Sequence, residues 1–162
     1  MSSTDFEGLL RRLLEGGVDF ILVGGLAATV HGSARATFDI DIVYSRSDAN
    51  LNRLIQALGP LDPYLRGAPP GLPFRFDADT LRRGLNFTLQ TTLGDLDLLG
   101  DVTGGGGYED LLPHIIELEL FGFRARCVTL PALIALKRAA GRPKDAEVIA
   151  ELEALMDEHR DA

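Results

Sequence analysis

Cysteine is nearly absent from this 162-residue chain, with Cys127 its single example. One thiol excludes an intrachain disulfide and a cysteine-built zinc site, and it fits a reducing compartment. No apolar run approaches the roughly 20 residues needed to cross a bilayer. Met1 to Phe6 also lack the basic stretch and apolar core of a secretory signal. These absences predict a soluble, cytoplasmic protein with no membrane partner. Positive charge is in deficit too: 16 Lys and Arg face 24 Asp and Glu, leaving a net charge of -8. That balance argues against a protein that coats duplex DNA, because neutralising phosphates takes a basic surface. It leaves room for a nucleic-acid end held by a local basic patch, and it suits a protein that binds divalent cations. No internal repeat is present. With 46% apolar residues, the chain can build one packed core, expected to be a single domain over residues 1–162.

Apolar spacing sets out the elements. Phe6, Leu9, Leu10, Leu13 and Leu14 recur at helical intervals, predicting a helix over 4–15 capped by Ser3 or Thr4 and stopped at Gly16-Gly17. Residues 18–23 and 37–44 read as strands, with a short helix over 26–31 between them. A helix follows over 47–58, capped by Ser47. Residues 60–76 hold five prolines and are expected to be mostly loop, and 77–83 a helical turn. Strands are predicted over 85–91 and 95–99. The glycine run 104–107 must be mobile unless something clamps it. A short helix over 108–112, a hairpin of 115–121 with 124–128, and helices over 130–140 and 143–159 complete the chain. The order predicts an α/β (α+β) fold, a mixed twisted sheet with helices packed on it.

Chemistry concentrates in three places. The first is Asp39-Ile40-Asp41-Ile42, where the strand period of two puts both carboxylates on one face and both isoleucines toward the core. Two ionised carboxylates side by side repel, and a divalent cation such as magnesium or manganese removes the conflict. Taken alone, an alternating acid pair reads more readily as solvated decoration. The second is Gly24-Gly25, separated from the pair by thirteen intervening residues, at a strand-to-helix junction. Backbone without side chains lets a phosphate approach closely, and the helix that follows offers its first amides; an ordinary tight turn is the plain alternative. The third is Gly94-Asp95-Leu96-Asp97-Leu98, where either acid could complete a metal pocket. Asp97 is favoured, because Asp95 lies nearer the turn, where solvation costs little.

Together these residues resemble the polymerase-β-like nucleotidyltransferases, whose signature pairs an apolar-Gly-Gly turn with an alternating acid pair. Val23-Gly24-Gly25 and Asp39-Ile40-Asp41-Ile42 match every part of it. Within that superfamily the chain is most similar to the bacterial abortive-infection toxin nucleotidyltransferases. Arg35 and Thr37 match the upstream part of their first motif, Asp97 their second and Lys137 on a helix their third. Arg142-Pro143-Lys144-Asp145 matches their fourth, so the resemblance spans residues 23–145. It implies that Asp39, Asp41 and Asp97 hold Mg2+ or Mn2+, with Lys137 and Asp145 in the catalytic set. It further implies that Gly24, Gly25, Arg35, Thr37, Arg142 and Lys144 bind a nucleoside triphosphate.

The cations also make sense without the resemblance. A triphosphate brings about four negative charges, which calls for Lys or Arg clamps beyond the metal. Asp145 would orient Lys137 or take a proton from an attacking hydroxyl. The plainer alternative for residues 142–145 is a helix start, with Pro143 at its first position and Asp145 complementing the dipole. His31, Ser33 and Tyr108 are expected to be structural rather than ligands. The function implied is transfer of a nucleoside monophosphate to an acceptor hydroxyl, on a tRNA 3′ end or a protein side chain. A toxin role with a cognate antitoxin partner would follow. The contrasting class is a non-catalytic module that holds a nucleotide or partner without turnover.

Overall fold

The computed structural model of the chain describes residues 3–160. Its centre is a parallel pair of strands, β2 (Asp39–Tyr44) and β5 (Gly94–Leu99). On one side, β4 (Asn86–Thr91) and the two-residue β3 (Tyr64–Leu65) extend the sheet antiparallel. On the other, β1 (Phe20–Val23) pairs antiparallel with β2 and parallel with β7 (Phe123–Val128), which forms a hairpin with β6 (Ile115–Leu120). The seven-stranded mixed sheet runs β3-β4-β5-β2-β1-β7-β6. Among the described residues seven α-helices accompany it: α1 (Phe6–Glu15), α2 (Gly24–Val30), α3 (Asp48–Leu58), α4 (Ala78–Arg83), α5 (Tyr108–Leu111), α6 (Leu130–Ala140) and α7 (Ala146–Arg160). The expected mixed sheet with packed helices is what the chain forms. No helix among the described residues is long and apolar enough to cross a membrane.

Burial fixes the register of the central pair. Ile40 and Ile42 of β2 are fully buried, as are Leu96 and Leu98 of β5, and each is worth about 2 kcal/mol of transfer. Because side chains alternate, a slip of one residue in either strand would drive its aspartates into the core in their place. The apolar half of each strand thereby holds the acidic half in position.

Local chemistry moves several boundaries. The cap of α1 is Asp5, whose side chain accepts from Gly8 N, and not Ser3 or Thr4. The Thr4 hydroxyl is engaged elsewhere: it donates to Phe38 O at 2.6 Å and accepts from Asp95 N at 3.1 Å, tying the chain start to the heads of β2 and β5. Ser47 caps α3 as expected. The proline-rich stretch is mostly loop, yet it contains β3, which the sequence did not suggest. The glycine run is clamped. Val102 pairs with Gly106, and a Cβ on Gly105 would meet Leu136 Cδ2 of α6 at 2.5 Å, so side-chain-free backbone lets this turn lie against that helix.

Candidate active site

Asp41 faces Asp97 across the parallel pair, and Asp39 faces Asp95. Residues opposite one another on neighbouring strands point to the same side, so all four carboxylates rise from one face. One oxygen each from Asp39, Asp41 and Asp97 lie within 4.8 Å of one another. Asp95, two residues nearer the turn, stands outside that trio.

The cluster is electrostatically uncomfortable. Burial, then the charges of Asp39 and Asp97, push the Asp41 carboxyl from 3.8 up to about 7, with Lys137 opposing. Asp39 is also raised, by burial first and then by Asp97, while Arg66 pulls the other way. Oδ1 of Asp41 is buried without a hydrogen-bond partner among the described residues. Hard oxygen donors at this spacing, one of them orphaned, fit a divalent metal ion.

Gly24 makes this packing possible. Its φ is +68°, and a Cβ there would lie within 2.9 Å of the Asp41 Cβ and Cγ and overlap Oδ2. Gly25 is equally confined, since a Cβ on it would sit 2.5 Å from the Thr37 hydroxyl. The two glycines form the first turn of α2 rather than a break before it.

A cavity of about 340 Å³ opens beside Gly24, Asp41 and Asp97, and Lys137 and Arg142 line it as well. That volume falls in the range of small-molecule sites. Leu99, Leu133 and Leu136 add apolar surface, and Asn86, Asp101 and Thr103 add polar groups. Asp39 belongs to the acidic trio without forming part of the cavity wall.

The remaining candidates are spread more widely. Arg35 is half exposed and reaches α7, with Glu147 Oε2 at 3.3 Å and Glu151 Oε1 at 3.7 Å. The Thr37 hydroxyl donates to Asp39 O at 3.2 Å, at the base of the acid pair. Lys144 is exposed in the short turn before α7 and forms no ion pair among the described residues. Asp145 is buried and accepts from Arg142 Nε at 2.7 Å, so its cationic partner is Arg142 rather than Lys137. His31 Nε2 donates to Val128 O at 2.8 Å, the only role open to it opposite a carbonyl. The Ser33 hydroxyl donates to Glu151, and buried Tyr108 accepts from Arg126. All three are engaged by groups of the protein itself.

Arg66 is the residue that sequence reasoning missed. Its guanidinium meets Asp97 at 2.8 Å, Asp95 at 3.4 Å and Asp39 at 3.6 Å. The Nε contact with Asp95 has ion-pair distance without hydrogen-bond geometry. A lone arginine among prolines carries no signal of such a role; only the pairing of β3 with β4 brings it there.

Fold and site thus describe a seven-stranded mixed sheet bearing an acidic trio suited to a metal ion. No family model matches the chain, and no curated protein matches it significantly. Among solved structures, it is similar to a "putative nucleotidyltransferase" from Thermotoga maritima, with a TM-score of 0.55 at 15% identity. The match covers 88% of this chain and 86% of that one. At such identity the likeness establishes a common fold.

Proposed function

We propose that this chain is a metal-dependent nucleotidyltransferase that moves a nucleoside monophosphate from a nucleoside triphosphate to an acceptor hydroxyl. The observation carrying this reading is the convergence of Asp39, Asp41 and Asp97 beside a cavity that also presents Lys137 and Arg142. A divalent cation held by the three carboxylates would neutralise phosphate charge and polarise the reacting oxygens. The backbone at Gly24 and Gly25 admits the triphosphate closely, and Thr37 shapes that turn from below. Lys137 and Arg142 bind its phosphate oxygens, with Lys144 adding charge at the rim. Arg35, bound to α7, steadies the segment leading into β2. Asp97 and Asp39 offer oxygens to the proton of the attacking hydroxyl, and pyrophosphate leaves.

Asp145 acts through Arg142 in this scheme. Removing its carboxylate frees a guanidinium that now has one fixed orientation. Asp145→Ala is expected to raise KM for the triphosphate about tenfold with a smaller change in kcat, because ground-state phosphate contacts are lost. Asp145→Asn, which keeps an acceptor oxygen, should recover part of the loss. A fall in kcat at unchanged KM would place Asp145 in the chemical step instead.

The four motif matches favour a single-domain cytoplasmic enzyme of the abortive-infection toxin type, with a tRNA 3′ end or a protein side chain as acceptor and a cognate antitoxin as partner. The test is purified protein with magnesium, each of four labelled triphosphates and cell lysate, run beside Asp39→Asn. Transfer of label to RNA or protein by the native chain alone is the expected result. Tight magnesium-nucleotide binding without transfer or pyrophosphate release would make the chain a binding module instead.

A further inference from the structure

We propose that Arg66 is a tethered counter-cation of the acidic cluster, which holds Asp97 until a divalent ion takes that oxygen over and so sets the cluster's metal affinity. The metal itself rests on the nucleotidyltransferase reading above. The role of Arg66 rests on the following geometry.

Arg66 follows directly on β3, and its N–H donates to Thr88 O at 2.9 Å, continuing the β3–β4 ladder by one residue. Thr88 faces Asp97 on β5, and Asp97 faces Asp41 on β2. Arg66, Asp97 and Asp41 therefore stand in one row across the sheet, on the same face. This placement comes from backbone pairing, so the guanidinium has been built toward the carboxylates from an edge strand. It did not arrive there as a surface side chain that happened to bend over.

Its grip on the cluster is uneven. Nη2 makes two good hydrogen bonds, to Leu89 O at 2.7 Å and to Asp97 Oδ1 at 2.8 Å. The approaches to Asp95 at 3.4 Å and Asp39 at 3.6 Å are loose ion pairs. Only one proposed metal ligand is thus tightly held, and a single exchange frees it. Asp95, which lies outside the trio, and Leu89 O remain as anchors after that exchange. The side chain is only 25% exposed, so it is confined near the cluster whichever partner it has. Arg66 compensates the Asp39, Asp95 and Asp97 side of the cluster, and Lys137 acts on Asp41. With all four carboxylates ionised, two single positive charges leave a deficit equal to one divalent ion. A second ion must contend with the guanidinium directly.

The test is direct titration of the nucleotide-free protein with Mn2+, by calorimetry and by the change in thermal unfolding temperature. Native protein, Arg66→Gln, Arg66→Lys and Asp41→Asn are compared. Arg66→Gln is expected to bind Mn2+ at least about tenfold more tightly, the effect of removing a unit charge a few ångströms from a divalent ion even with water-like screening. Its thermal gain on adding Mn2+ should exceed that of the native chain. Arg66→Lys keeps the charge but cannot span Asp39, Asp95 and Asp97, so its affinity should fall between the other two. It also provides a folded comparison if the neutral variant is unstable without metal. Unchanged or weaker Mn2+ binding by Arg66→Gln, with binding still lost in Asp41→Asn, would overturn the role of Arg66 alone. An Arg66→Lys titration identical to that of native protein would also overturn it, since charge without bridging would then suffice. No Mn2+ binding by either native protein or Arg66→Gln would sink the metal-site reading, and this inference with it.

Discussion

Asp41→Asn should abolish nucleotidyl transfer, by on the order of 10³-fold, and yet stabilise the metal-free protein at neutral and alkaline pH. The first effect follows from its place in the trio, where an amide oxygen carries too little charge to hold a divalent cation. The second follows from linkage. The folded carboxyl titrates at about 7 against 3.8 in the ordinary state, so between those values the folded protein keeps a proton that the unfolded chain has released. Stability from this group is complete below the lower value, declines as pH rises through the window, and is lost above the upper one. Asparagine mimics the protonated carboxyl at every pH. In chelator, native and variant unfolding temperatures should coincide near pH 3.8 and diverge as pH rises to about 7, the variant ending higher. A difference of several degrees is expected for a chain of this length. Magnesium should then raise the native temperature and leave that of the variant unchanged. A variant less stable than native protein at pH 8 in chelator would show that ionised Asp41 is satisfied within the fold, and would remove the argument for a cation there.

That opposition of stability and activity also explains why part of the site could be read from the sequence. Asp39-Ile40-Asp41-Ile42 and Asp95-Leu96-Asp97-Leu98 alternate strictly, and alternation reports which residues share a face. The buried isoleucines and leucines then leave the aspartates one side to occupy. Helices α1 and α3 were legible for the same reason at their own period. What alternation cannot report is which cation meets which acid. Arg66 reaches β5 only through a two-residue strand set among prolines, too short for a periodic signal. Arg35 reads as a neighbour of the acid pair until α7 folds back and presents Glu147 and Glu151. Asp145 is three residues from Arg142 and eight from Lys137, and the turn before α7 decides the choice. The glycine run looks mobile in isolation because its restraint, the face of α6, lies some thirty residues away. Each of these cases depends on long-range packing, and side-chain chemistry alone leaves several partners equally suitable.

Gly24→Ala should be the most damaging single substitution outside the carboxylates, and a second glycine separates its two costs. Gly17, between α1 and β1, has φ +67°, almost the same as the +68° of Gly24, but nothing lies within 4 Å of a Cβ built on it. Gly17→Ala therefore carries only left-handed backbone strain, about 1–2 kcal/mol, and should leave transfer intact. Gly24→Ala adds an overlap with Asp41 that backbone adjustment at one residue cannot relieve, because Asp41 is fixed by its pairing with Val23 and Asp97. Either the carboxylate moves or the first turn of α2 lifts from the sheet. A displacement near 1 Å at a reacting centre costs about 10² in rate. Activity should therefore fall at least that far, and the unfolding temperature should drop below that of Gly17→Ala. Mn2+ titration tells the two routes apart: a moved carboxylate weakens metal binding, whereas a lifted turn spares the trio and raises KM for the triphosphate. Equal losses of stability and activity in the two alanine variants would mean that Gly24 is present for its backbone angle alone, and that the close approach to Asp41 has no part in the chemistry.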